Sequence, residues 1–566
     1  MSRMAKYLNI KVWIYIVTVA IIACCIGAAE DYVGGAILTW YRIKYSKLAD
    51  SKNAFLGWAV FTGTMMIQAL IATAICGWIA PSAQGSGVPP LKVVLSGVPI
   101  YKFLDIKILI AKVTALFFAL GSGIGTGKEG PMIHISSMVS YNLGRLPWYK
   151  NVVADPFYRR TLLNAAVACG VTSTFGTPYG AICFSVELCS TVFLLSNLWK
   201  LYVTATVVKI GFDFFASQHI VATIQSDFDY VGNGNYSYYL HYIVIGLICG
   251  WIGSLWVMCF SIFLQYKGQS PIKFLKNRYY YTIMMSLVIG LLQYPFRTSW
   301  AGNKGLINMF WKEDYLDDDD NYVFQKGYVE LELFGTFVMR WVMIMCFATM
   351  PLPSGVSLPS ITQGAILGRL YGEILRWYDP RVQVQSFSIV GAAAYAGVLT
   401  RTTSVTLVIM ELTGQTKLIL GIMLGNLCSY AVANIFTMSA FNTAMTVTKM
   451  PYLPFMFTSA LYKRTAGEFM DVKNESFDED ATLMDVIEFF ANKDHFNNDE
   501  FIPVVENQEN KKMVGSVRTW DILNYVRKVC EAIEVEAKEG KTSELIMKFT
   551  SKLTQLVEEG HVILIP

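Results

Sequence analysis

The stretch Gly121 to Ile135, GSGIGTGKEGPMIHI, holds the residues of this sequence best suited to chemistry. Repeated glycines, then Lys128, Glu129 and Pro131, come directly before an apolar run. A glycine-rich turn that opens a helix leaves backbone N–H groups without partners, and the helix dipole adds partial positive charge there. Such a spot suits an anion. Glu129 stands in the same place, so its carboxylate can occupy the site as a tethered anion and yield it to a free one. In chemical terms that is a gate. The same residues also fit a plain helix start with a Lys–Glu pair, its glycines placed only for close packing.

The elements that position this turn read as membrane helices. Of 566 residues 54% are hydrophobic and 16% charged, and the mean hydropathy is +0.41. That balance points to a polytopic protein of the lipid bilayer. A net charge of +4 implies no nucleic acid as partner. Eleven cysteines lie mostly alone inside apolar runs and read as core residues, not as disulfides or metal ligands. The five histidines show no metal or nucleophile spacing, so no enzyme is implied. Arg3, Lys6 and Lys11 precede a first apolar run too long for a signal peptide, which favours a retained helix and a cytoplasmic N-terminus.

Apolar segments recur at 11–40, 54–80, 106–124, 129–144, 160–178, 179–193, 200–216, 239–265, 280–296, 328–350, 360–376, 386–398, 401–413 and 417–437. Several fall short of the roughly 20 residues that span a bilayer. Short, Gly/Pro-interrupted segments are those of broken helices whose ends line a cavity. Three interruptions stand out: Gln84 to Leu91 (GSGVPP between them), the GTGKEGP stretch, and PLPSGVSLPS at 351–360. The third falls near where an inverted repeat puts a mirror copy of GKEGP. Three helix N-termini converging near the midplane would bind an anion without a fixed cation deep in the membrane.

Between the halves, Gln218 to Tyr239 is polar and carries the sequon Asn235-Tyr236-Ser237. A second polar loop, Thr298 to Tyr328, bears Glu313, Asp314 and Asp317 to Asp320, a solvated run or a cation site. Beyond Phe455 the composition turns charged. Residues 464–566 read as helix (Thr482 to Phe490), strand (Phe501 to Val505), strand (Met513 to Val517) and helix (Asp521 to Val526), with Glu468 to Val472 as the lead-in strand. The expected fold is therefore an all-α polytopic membrane domain over 1–455, with broken helices in inverted halves at about 11–217 and 239–450. An α/β domain follows at 464–566.

These residues together resemble the CLC family of chloride channels and chloride/proton exchangers. GSGVP at 85–89, GKEGP at 127–131, GVSLP at 355–359 and Lys449-Met-Pro-Tyr-Leu-Pro454 carry the likeness, and the tail resembles a cystathionine-β-synthase (CBS) module. The resemblance implies a homodimer with one anion pathway per subunit, and CBS modules on the cytoplasmic side with the C-terminus. It implies a multi-pass protein of the plasma membrane or an organelle membrane. By position, the Ser86 hydroxyl and the amides of Val356 and Ser357 would hold a central chloride, and those of Glu129, Gly130 and Leu358 an outer one. Glu129 would be the gate, Gly87 and Phe441 would line the pore, and Lys128 would draw anions in. Serine at 86 implies preference for chloride over nitrate.

Three positions depart from the family pattern. Phe441 stands where a tyrosine is usual and cannot hydrogen-bond the ion. Ser357 replaces a phenylalanine, and Pro90 an acidic residue. In the exchangers a second glutamate passes protons toward the gate; its position here is Leu188, which carries none, while Glu187 matches a structural glutamate. The reading is a passive chloride channel, with a chloride/proton exchanger as the alternative and an organic-anion transporter as the rival from another class. A nucleotide at the CBS-like tail is the one cofactor considered. One complete module is visible there, and residues from Glu531 on show no second copy.

Overall fold

The computed structural model describes residues 10–39, 53–98, 102–150, 156–190, 195–221, 237–269, 276–312 and 329–451, with short pieces between them. In the C-terminal part the longest described runs are 476–478, 501–506 and 512–519. The acidic tract, the sequon asparagine Asn235, the 468–472 strand and the stretch from Glu531 lie outside the described residues. The chain divides into two compact units, Met1–Phe455 and Met456–Pro566.

The first unit is helical. Its first half contains α1 (Ile10–Ala36), α2 (Ala54–Trp78), α3 (Val88–Ser96), α4 (Ile106–Gly121), α5 (Glu129–Gly144), α6 (Pro156–Phe175), α7 (Pro178–Cys189) and α8 (Leu198–Ser217). The second contains α9 (Ser237–Gln269), α10 (Arg278–Gln293), α11 (Gly302–Phe310), α12 (Val329–Ala348), α13 (Ser357–Arg376), α14 (Val384–Thr400), α15 (Val405–Thr413) and α16 (Ile419–Phe436), and α17 (Ala440–Val447) closes the unit. Five spans, Ile10–Thr39, Ala54–Trp78, Tyr238–Gln269, Val329–Ala348 and Thr416–Val447, are long and apolar enough to cross a bilayer. The protein is an integral, multi-pass membrane protein.

The packing repeats itself. Helix α1 lies on α8 as α9 lies on α16; α6 packs on α8 as α14 on α16; α5 packs on α6 as α13 on α14. Across the halves several helices pack on their own counterparts: α2 on α10, α7 on α15 and α5 on α13. The α7–α15 contact fixes the inversion. Glu187, near the end of α7, accepts from the Thr403 and Ser404 amides ahead of α15, each at 2.8 Å. Glu411, near the end of α15, accepts from the Gly180 amide of α7 at 2.9 Å. Each carboxylate satisfies the orphan donors and meets the positive dipole end of the other helix, which requires the two to run antiparallel. Glu187 thus has the structural role read for it.

Two segments differ from the sequence reading. Residues 302–310 fall within the expected polar loop, yet form α11, with Leu306, Ile307 and Phe310 buried on one face. Nine residues with one short apolar stripe give too little periodic signal, and only the surrounding helices make the stripe a core face. The apolar run 401–413 does not start as helix. Arg401 ends α14 in the left-handed region at φ 57°, and α15 begins at Val405.

In the second unit, β1 (Phe477–Asp478) pairs parallel with β2 (Phe501–Val505), which pairs antiparallel with β3 (Met513–Arg518). Thr482 and Asp485 bond reciprocally, the Thr482 amide donating to the carboxylate at 2.8 Å, as in a capping box. Phe489 packs on Phe477 at 4.8 Å between ring centres. The first described strand is thus Phe477–Asp478, and the two strands read from the sequence stand as expected.

Candidate functional site

The two mirrored breaks meet at one point. Gly127 and Gly355 exchange reciprocal backbone hydrogen bonds of 2.9 Å in an antiparallel bridge. Two residues on from each glycine, a helix begins: α5 at Glu129 and α13 at Ser357. Both helices carry proline in the third position, Pro131 and Pro359, which lacks an N–H. The amides of Glu129, Gly130, Ser357 and Leu358 are therefore the first-turn donors, without acceptors inside their helices.

The third break contributes differently. Helix α3 opens with Pro89 and Pro90, and the Val88 amide donates to the Ser86 hydroxyl at 3.3 Å. What α3 offers is the O–H of Ser86, left free to donate because its oxygen already accepts. The expected convergence of three N-termini is thus two amide-bearing helix starts and one hydroxyl. Gly87, at φ 78°, makes the turn, and a Cβ there would lie 2.6 Å from the His134 ring. Gly130 packs so closely on Ser86 that a Cβ would come within 2.6 Å of its side chain.

Glu129 is 1% exposed. Its carboxylate folds back over the bridge: a Cβ at Gly127 would stand 2.2 Å from Oε2, and one at Gly355 2.9 Å. Its own amide and that of Leu358 are the backbone donors facing it, short of full hydrogen-bond geometry, so both oxygens are unpartnered. A buried unpaired carboxylate is costly and unusual outside functional sites.

A cavity approaches from each side. One, of about 220 Å³, is lined by Ser86, Gly87, Val356 and Phe441 with Trp256 and Phe260. The other, of about 350 Å³, is lined by Gly127, Lys128 and Leu358 with Glu30, Asp31 and Lys304. Glu129 lines neither. Of the residues around it, Gly127, Lys128 and Leu358 border the second cavity and Val356 the first.

The remaining sequence candidates fall as follows. Ser357 is buried, its carbonyl accepting from Ser360 at 2.5 Å. Phe441 is buried on α17, whose first turn Ser439 caps by accepting from the Asn442 amide at 3.0 Å. Leu188 is buried at the end of α7. Lys128 is no free cation: it pairs with Asp31 at 2.9 Å and donates to the Gly27 carbonyl at 3.0 Å.

Several supporting residues were missed. Lys112 donates to the Gly85 carbonyl at 3.0 Å, holding the turn before Ser86. Asn303 of α11 donates to the Gly125 carbonyl at 2.9 Å and is itself held by the buried guanidinium of Arg340. Lysine and arginine inside the apolar runs of α4 and α12 were the available signal, since a charge within a membrane helix is expensive and needs a reason.

Comparison with known proteins agrees with this geometry. Residues 68–434 match the family model described as voltage gated chloride channel. Chloride channel protein 1 of Rattus norvegicus is 27% identical over 99% of this chain and 60% of its own. The chain thus spans about 60% of the length of that relative. Among solved structures, a eukaryotic CLC transporter is 25% identical, with a TM-score of 0.75 over 92% of this chain and 89% of its own. A slow cyanobacterial Cl⁻/H⁺ antiporter shares the fold, with a TM-score of 0.65 at 18% identity over 78% of this chain and 99% of its own.

Proposed function

This chain belongs to the voltage-gated chloride channel family, and on that premise we propose that it conducts chloride passively across a membrane, gated by the Glu129 carboxylate. The observation that carries the reading is that unpartnered carboxylate, lying over the Gly127–Gly355 bridge between two cavities. In the closed state it takes the place of a chloride ion at the amides of Glu129, Gly130 and Leu358. A chloride ion reaching the amides of Val356 and Ser357 and the Ser86 hydroxyl competes for the same field. Partial charges on N–H groups bind a monovalent anion without holding it too tightly to release.

What favours a channel over an exchanger is Leu188, a side chain without a titratable group where exchangers of the family hold a proton-carrying glutamate. The relatives include a named chloride channel and a Cl⁻/H⁺ antiporter, so the branch rests on that residue. We take the protein to be a homodimer with cytoplasmic termini, in which the three-stranded C-terminal sheet belongs to a CBS-like module.

The site is tested by replacing its hydroxyl. Vesicles carrying the purified protein should pass chloride down its gradient. In Ser86→Pro the nitrate-to-chloride permeability ratio should rise by about two- to tenfold, the range one hydrogen bond supplies. It is read as a shift of the bi-ionic reversal potential. An unchanged ratio would remove Ser86 from the ion's coordination.

A further inference from the structure

The junction of α5 and α6 holds a cavity that the anion pathway does not use. It measures about 610 Å³, and Tyr141, Gly144, Arg145, Lys150, Val153 and Arg159 are among the residues lining it. Its walls are fixed by α1. Tyr15 and Ser140 share a hydrogen bond of 2.9 Å between their hydroxyls, the Tyr15 ring meets that of Tyr149 at 5.2 Å between centres, and a Cβ at Gly144 would stand 2.9 Å from Val153.

Three cations line this space, and packing accounts for one of them. Arg145 follows the C-terminus of α5, where the helix dipole favours positive charge, and pairs with Asp105 at 3.3 Å. Lys150 and Arg159 are exposed and, among the described residues, form no ion pair. Arg160 turns instead toward the end of α3, where a Cβ at Gly97 would lie 2.8 Å from its guanidinium. From Arg145 to Arg160 the sequence carries four basic residues and one acid, Asp155. Two large apolar side chains stand in the same loop, Leu146 at 49% exposed and Trp148 at 61%. Tryptophan and basic residues at the end of a membrane helix sit at the depth of the lipid headgroups. Through the Tyr15 contacts, the loop shares its face with the start of α1.

We propose that this cavity binds the phosphorylated headgroup of an anionic lipid in that leaflet, with Lys150 and Arg159 on the phosphate, Arg145 beside it, and Leu146 and Trp148 in the bilayer interface. Arginine offers phosphate a planar fork and lysine a point charge, so the pair fits oxygens that a lone surface cation holds weakly. A lipid of the same leaflet enters sideways. A soluble phosphate would gain nothing from the exposed Leu146 and Trp148. The inference stands apart from the gating reading, since none of these residues lines either anion cavity.

The test is binding of a short-chain phosphatidylinositol phosphate to the detergent-purified full chain by titration calorimetry, against short-chain phosphatidylcholine and soluble inositol bisphosphate. Wild type should bind the inositol lipid at least about tenfold more tightly than the choline lipid. Lys150→Gln and Arg159→Gln should each raise the Kd about fivefold, and the two together about 25-fold. Both side chains are exposed, so the variants should melt as the wild type does. Lys150→Arg, which keeps the charge, should retain binding. Lys11→Gln, on the same face but outside the cavity, should bind as wild type. Equal affinity in wild type and the double variant would overturn the inference. So would an equal loss in Lys11→Gln, which would mean diffuse attraction by surface charge. Inositol bisphosphate bound as tightly as the lipid would overturn the lipid as occupant.

Discussion

Glu129→Ala conducts chloride under conditions that close the wild-type protein, with steady-state flux at closing voltages higher by about tenfold or more. The expectation follows from what the carboxylate displaces. It lies against the first-turn amides as a covalently attached anion, at an effective concentration that a free ion in a dilute bath does not match. Cutting the side chain to a methyl group frees those amides without touching the helix starts that carry them, because the Gly127–Gly355 bridge is made by backbone. A tenfold change in open population needs only about 1.4 kcal/mol, modest for removal of a buried charge. The mutant should also lack the activation by acid expected of the wild type, in which proton uptake would release Glu129 from the amides. A mutant that still closes with voltage, chloride and acid as the wild type does would place the gate elsewhere.

Gly127→Ala should reach a similar open state by another route. The three atoms nearest the added Cβ all belong to the Glu129 carboxyl: Oε2 at 2.2 Å, Oε1 at 2.8 Å and Cδ at 2.9 Å. Gly127 is not at positive φ, so its backbone accepts alanine and the clash falls on the carboxylate. Overpacking of this kind costs about 1–3 kcal/mol. Spent on expelling the gate, it shifts the closed–open balance by about ten- to a hundredfold toward open. The charge remains, so Gly127→Ala should keep a response to acid that Glu129→Ala lacks. Gly355→Ala serves as the contrast. Its Cβ would also meet the Gly127 carbonyl at 2.9 Å, so it should cost stability, seen as a lower melting temperature in detergent. Gly127→Ala with wild-type gating would mean that the carboxylate does not rest over the bridge when the protein is closed.

The residues that were legible in the sequence are those whose local chemistry decides their structure. Glycine, then glutamate, glycine and proline can hardly be other than a helix start with exposed donors, and GVSLP repeats the pattern, so both helix starts follow from composition, whereas the Gly127–Gly355 bridge is set by the fold. What was not legible depends on partners far along the chain. Lys128 reads as a cation that draws anions in, or as a partner of Glu129, until α1 brings Asp31 to it. The start of α3 reads as a third amide site until its two prolines and the Ser86 bond are counted. Helix α11 reads as loop because Gly302, Asn303, Lys304 and Gly305 are polar or flexible, and only burial against the gating loop gives Asn303 its role.

The most direct test of the account is the reversal potential of the purified protein in vesicles, under a chloride gradient with and without an opposing proton gradient. A passive pathway gives the chloride equilibrium potential in both cases, because Leu188 offers a proton no way to the gate. A potential that moves with the proton gradient would mean that chloride and protons are coupled, and would contradict the channel reading.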